Sequence, residues 1–74
     1  MNKSERTILE ILLREDKPLF AVNILLASGS ALSRGTIYIN LATLAHDKLI
    51  EAKPQAAGSA RYVITEKGRE MLDK

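Results

Sequence analysis

The chain contains no cysteine and a single histidine, His46. Disulfide cross-links and thiolate metal sites are therefore excluded, and so is any centre built from several imidazoles. The lack of cysteine fits a cytoplasmic location. No apolar run approaches the roughly 20 residues that span a bilayer. The opening residues, Met1 to Arg6, are polar and charged, and no apolar signal-peptide core follows them. Repeats, linkers and low-complexity stretches are also missing, so residues 1–74 are expected to form a single domain. No nucleophile–base pair, metal-ligand cluster or glycine-rich phosphate loop can be picked out. A chain of 74 residues leaves little room for a substrate pocket. An enzyme is not expected, and no cofactor, metal or small-molecule effector is implied.

Charge of one sign is also scarce. Eleven Lys and Arg against nine Asp and Glu leave a formal net charge of +2. The distribution says more than the total. Up to Ser33 there are four basic and four acidic residues; from Arg34 onward there are seven and five, so the whole excess lies in the second half. Such an asymmetry permits a nucleic-acid surface there.

What is present is a 46% hydrophobic composition arranged with helical periodicity. A first helix is expected from about Ser4, a good N-cap, to Glu15. Ile8, Ile11 and Leu12 share one face, with Leu9 and Leu13 as a second stripe beside it. Pro18 suits the first turn of a second helix, from about Leu19 to Ala27. There Phe20, Ile24 and Ala27 share a face, while Val22 and Leu26 point the other way. Gly29 supplies a left-handed end. Ser33 caps a third helix, Arg34 to about Asp47, whose Ile37, Leu41 and Leu44 face a core. Beyond Leu49 the period shortens. Ile50 to Pro54 reads as a strand, Gln55 to Ala60 as a turn, and Arg61 to Thr65 as a second strand with Tyr62 and Ile64 on one face. Thr65 caps a last helix carrying Met71 and Leu72. The fold class is thus α+β and mostly helical: three helices, a two-stranded wing and a short C-terminal helix, the winged form of the helix-turn-helix. In that form the third helix is a rigid probe for the major groove.

The segment Ser33-Arg34-Gly35-Thr36-Ile37-Tyr38, with Leu41, Leu44 and Leu49-Ile50, resembles the recognition-helix segment of PadR-type regulators. The segment Arg61-Tyr62-Val63-Ile64-Thr65-Glu66-Lys67-Gly68-Arg69-Glu70 resembles the wing strand and exit helix of the same family. The likeness runs from roughly Leu19 to Leu72. There are departures. Ala21-Val22 stand where the family often has Gly-Tyr, Ile39-Asn40 where it favours Pro-Thr, Thr43 where arginine is common, and Lys48 where glycine is common. Lys48 is accordingly expected to carry a strained backbone at the helix end. The family's C-terminal dimerisation region starts about where this sequence reaches Lys74, so a minimal DNA-binding unit is expected. The resemblance implies a sequence-specific DNA-binding transcription regulator.

On this reading the outer side of the third helix meets double-stranded DNA. Ser33, Arg34 and Thr36 lie at its start, where free amides and the helix dipole favour phosphate. Thr36 and Thr43 are candidates for base edges, Asn40 for adenine, Ile39 for thymine methyls and Tyr38 for a phosphate. Lys53, Arg61 and Lys67 are candidates for the backbone beside the 51–65 hairpin. Leu9, Leu13, Val22 and Leu26 either close the small core or form a homodimer patch. A two-fold pair would set two probe helices about 34 Å apart on a palindromic site. With no second domain in sight to contact polymerase, a repressor is the expected role. The alternative is a winged-helix adaptor that binds protein and not DNA.

Overall fold

The computed structural model describes residues 1–73. Its elements, in chain order, are α1 (Lys3–Glu15), β1 (Leu19–Phe20), α2 (Ala21–Ala27), α3 (Ile37–His46), β2 (Ile50–Pro54), β3 (Ala60–Ile64) and α4 (Glu66–Leu72). The α+β winged helix-turn-helix expected from the sequence is what forms. Among the described residues no helix is long and apolar enough to cross a membrane.

Helix α1 starts earlier than Ser4 suggests. Asn2 is the N-cap, and with Glu5 it closes a reciprocal capping box: the Asn2 Oδ1 accepts from the Glu5 N–H at 2.7 Å, and the Asn2 N–H donates to Glu5 Oε1 at 2.9 Å. Two first-turn donors are satisfied at once, which outweighs a lone serine cap. The helix then packs against α2, α3, α4 and β3. Both of its apolar stripes are consequently used: Ile8, Leu9, Ile11 and Leu12 are all buried. Leu9, a candidate for a dimer surface, is 0% exposed and belongs to the core. Leu13 is half-buried, whereas Val22 and Leu26 are exposed.

The second helix does not begin at Leu19. Leu19 and Phe20 form a strand that pairs antiparallel with β3, Leu19 opposite Tyr62 and Phe20 opposite Arg61. The sheet therefore has three strands, in the order β1-β3-β2, and not the two of a bare hairpin. The backbone of Leu19 and Phe20 pairs with β3 instead of opening a helical turn, so α2 begins only at Ala21. Helix α2 follows directly, with Asn23 Oδ1 accepting the Phe20 N–H at 3.0 Å. Its inward residues are Ala21 and Ile24, so Phe20 and Ala27 do not join Ile24 on a helical face. Gly29, at φ 64°, takes the left-handed geometry expected of it.

Helix α3 buries Ile37, Leu41 and Leu44, as its periodicity requires. Its end holds the molecule together. The Lys48 N–H donates to the Ala45 carbonyl at 3.0 Å and the Leu49 N–H to the Leu44 carbonyl at 2.9 Å. This is a Schellman closure, and its left-handed position, normally glycine, is Lys48 at φ 63°. The strain expected there is present. The Thr65 hydroxyl donates to the Lys48 carbonyl at 2.7 Å and accepts from the Gly68 N–H at 3.0 Å, capping α4. The Thr65 N–H donates to the Leu49 carbonyl at 3.1 Å. Gly68 lies directly on that carbonyl: a Cβ there would overlap the Leu49 oxygen and come within 2.8 Å of Ile64 Cγ1.

Two stability changes of opposite sign follow. Gly68→Ala drives a methyl into backbone and is expected to cost about 2 kcal/mol. Lys48→Gly relieves the left-handed strain and is expected to gain about 0.5–1 kcal/mol after the extra freedom it gives the unfolded chain. Urea denaturation of the two variants measures both.

Candidate nucleic-acid interface

The exposed side of α3 is built by subtraction. Once Ile37, Leu41 and Leu44 are committed to the core, the opposite face carries Ile39, Ala42, Thr43 and His46, all exposed. No acidic residue occurs between Arg34 and His46, so nothing on this face repels a phosphate. The helix proper begins at Ile37, three residues later than expected. Arg34, Gly35 and Thr36 form a turn before it, closed by the Ile37 N–H on the Ser33 carbonyl at 3.1 Å and by a 2.8 Å contact between the Ser33 and Thr36 hydroxyls. All three turn residues and Ser33 are exposed. The structure thus brings Ser33, Arg34, Thr36, Tyr38, Ile39 and Thr43 to one end and one face.

Asn40 is different. It is 8% exposed and lies on the inward side of the helix, so its amide is not presented to a partner as an adenine reader requires. By the helical period Asn40 stands at the edge of the buried arc, about 60° from Ile37 on the side away from Leu41, and the packed neighbours cover it.

Tyr38, 65% exposed, leans toward the sheet. With Val22, Tyr62 and the hairpin tip Gly58-Ser59-Ala60 it lines a groove between α3 and the wing. Val22 and Tyr38 also border a second cleft, with Leu25, Ile37 and Arg34. Val22 is 52% exposed, so it does not close the core, and it stands on the α3 side of the molecule. The signal for this was absent from α2 alone, because it arises from packing against α3. The phenol of Tyr62 titrates above its ordinary value of about 10, first because it is partly buried and second because the Tyr38 phenol stands near.

The wing carries its cations on the other face. Lys53 and Arg61 are direct cross-strand partners, and strand alternation puts them opposite the Tyr62 face. The Arg61 guanidinium stacks over the Phe20 ring, 4.8 Å from its centroid, which orients it; among the described residues no carboxylate pairs with it. Lys53 shares its charge with Glu51 at 3.6 Å. Lys67 is not on the wing. It lies in α4, and its Nζ donates to the Asp47 carbonyl at 3.1 Å, countering the negative end of α3. The tip itself is a tight turn, with Ala57 at φ 62° and Gly58 at φ 76°, and is uncharged.

Comparison with known proteins places this geometry. RosR of H. salinarum shares the fold with a TM-score of 0.82 at 19% identity, over 99% of this chain and 68% of that one. A PadR family transcription regulator from hypervirulent Clostridium difficile shares it with a TM-score of 0.75 at 22% identity, over 97% of this chain and 81% of that one. No family model and no curated protein sequence matches the chain. The likeness establishes a PadR-like winged-helix fold.

The raised Tyr62 value has a consequence for stability. A group whose folded pKa is raised stabilises the fold fully below its unfolded pKa and ceases to do so as pH climbs through the folded value. Stability is therefore expected to fall above about pH 10. Tyr62→Phe should abolish most of that fall and Tyr38→Phe should make it smaller with the same onset, read from urea midpoints between about pH 8 and 11.5.

Proposed function

We propose that this chain is a cytoplasmic, sequence-specific DNA-binding transcription regulator that acts as a repressor and not as an enzyme. One observation carries the reading: the acid-free outer face of α3 is held free beside a wing, in a fold shared with a PadR family transcription regulator. Helix α3 enters the major groove. Arg34 and the hydroxyls of Ser33 and Thr36 meet phosphate at its start, with Tyr38 reaching the backbone along the groove it lines. Arg61, and Lys53 less strongly because of Glu51, project from the wing face turned away from the α3 groove and are assigned to the DNA strand beyond the wing. No cofactor or effector enters the mechanism.

A net charge of +2 limits how many phosphates one copy can neutralise. A homodimer on a palindromic site compensates by presenting two α3 helices about 34 Å apart. With Leu9 in the core, the apolar surface left for that contact centres on Leu26, which is 74% exposed.

The apolar exposure of Val22, Leu26, Tyr38 and Ile39 supports a second reading, a protein-binding adaptor. Salt separates the two. Fluorescence anisotropy with DNA selected from a random pool, run at several salt concentrations, is expected to give a steep log–log slope. Arg34→Ala should reduce that slope by about 1 without lowering the melting temperature, and Arg61→Ala by about 1 with a small loss of stability from the Phe20 stacking. Failure of the folded protein to bind any selected duplex would leave the adaptor reading.

A further inference from the structure

We infer that α3 reads DNA through thymine C5 methyl groups, and that the preferred site is A·T-rich beneath this helix. The inference rests on the proposed DNA-binding reading and deepens it. Base discrimination in the major groove ordinarily relies on paired hydrogen bonds: Arg or Lys to guanine, Asn or Gln to adenine, Asp or Glu to cytosine. None of these side chains stands on the exposed stripe of α3. The stripe is Ile39, Ala42, Thr43 and His46, one face at i, i+3, i+4 and i+7. Asn40, the one amide in the helix, is turned inward. The polar group that remains in the middle of the stripe is the Thr43 hydroxyl, and it donates back to the Ile39 carbonyl at 3.0 Å. That rotamer leaves the Thr43 methyl as the outward γ substituent. Ile39 then presents a branched aliphatic side chain at 66% exposure, flanked by the methyls of Ala42 and Thr43. The major-groove complement of such a surface is the one apolar group on a base edge, the thymine methyl. His46, at the far end of the helix, is left to a flanking position.

The test isolates the methyl. A 20-bp duplex selected from random DNA by the wild-type protein is compared with the same duplex carrying uracil for every thymine, which removes C5 methyls and leaves every base pair intact. Wild-type affinity is expected to fall about fourfold for each methyl contacted. Ile39→Ala and Thr43→Ser each delete an aliphatic group from an exposed position, so both variants should fold as the wild type does by circular dichroism. In each, binding to the thymine duplex should weaken and the thymine-to-uracil ratio should shrink toward one. Salt-dependent, specific binding with no difference between the two duplexes overturns the inference and leaves the DNA-binding reading standing. A ratio that both variants preserve unchanged overturns it as well, because the effect then lies in DNA shape. Absence of binding to any duplex removes the underlying reading and the inference together.

Discussion

The Leu49 carbonyl is the point on which the architecture turns. It receives the Thr65 N–H, and Gly68 packs against it without a side chain between them. One residue earlier, the Lys48 carbonyl takes the Thr65 hydroxyl. The end of α3 and the start of α4 are thus joined backbone to backbone, with β2 and β3 emerging from the same knot. A helix held by side chains alone can pivot as those side chains change rotamer; one held through the carbonyls of the turn that closes it, Lys48 and Leu49, cannot do so without breaking hydrogen bonds. The angle between α3 and the wing is fixed in this way. The left-handed conformation of Lys48 is what turns the chain toward the knot, and its strain is tolerated because the surrounding contacts determine it several times over.

A second constraint is size. Few residues are available for a core, so each element serves more than one neighbour. Helix α1 is wrapped by three helices and a strand. Phe20 ends β1, precedes α2 and carries the Arg61 guanidinium on its ring. The salt bridge of Arg69 to Asp16, at 3.1 Å, spans 53 positions of sequence and ties α4 to the end of α1. Asp16 can serve there because it closes α1 in a left-handed conformation, φ 53°, that swings its carboxylate off the helix axis.

Much of this was legible in the sequence. The alternation of Ile37, Leu41 and Leu44 located α3 and its free face, because a buried stripe at helical period leaves little choice of orientation. Gly29 was readable from backbone chemistry alone, and the demand on Lys48 from the family resemblance, which sets glycine at that position. What was not legible depended on partners distant in sequence. Two residues, Leu19 and Phe20, are too few to show alternation, and their strand character comes entirely from β3. Leu9 looked surplus because the enclosure of α1 by α4 lies outside any local pattern. Asn40 was misplaced because a flanking position is resolved only by where the neighbouring elements stop. The capping box of Asn2 and Glu5 was within reach; Ser4 competed with it as a local signal. Lys74, where the family resemblance sets the start of a dimerisation region, lies outside the described residues.

The direct passage of β1 into α2 has a consequence in time. Leu19 and Phe20 find their hydrogen-bonding partners only at Tyr62 and Arg61, more than forty residues later. During synthesis α1, α2 and α3 can therefore meet one another before the strand that leads into α2 has anything to pair with. The β1 pairing waits on the hairpin that is made nearly last. The sheet can close only when the third strand emerges, and the Thr65 bonds that hold the probe helix become available at the same moment.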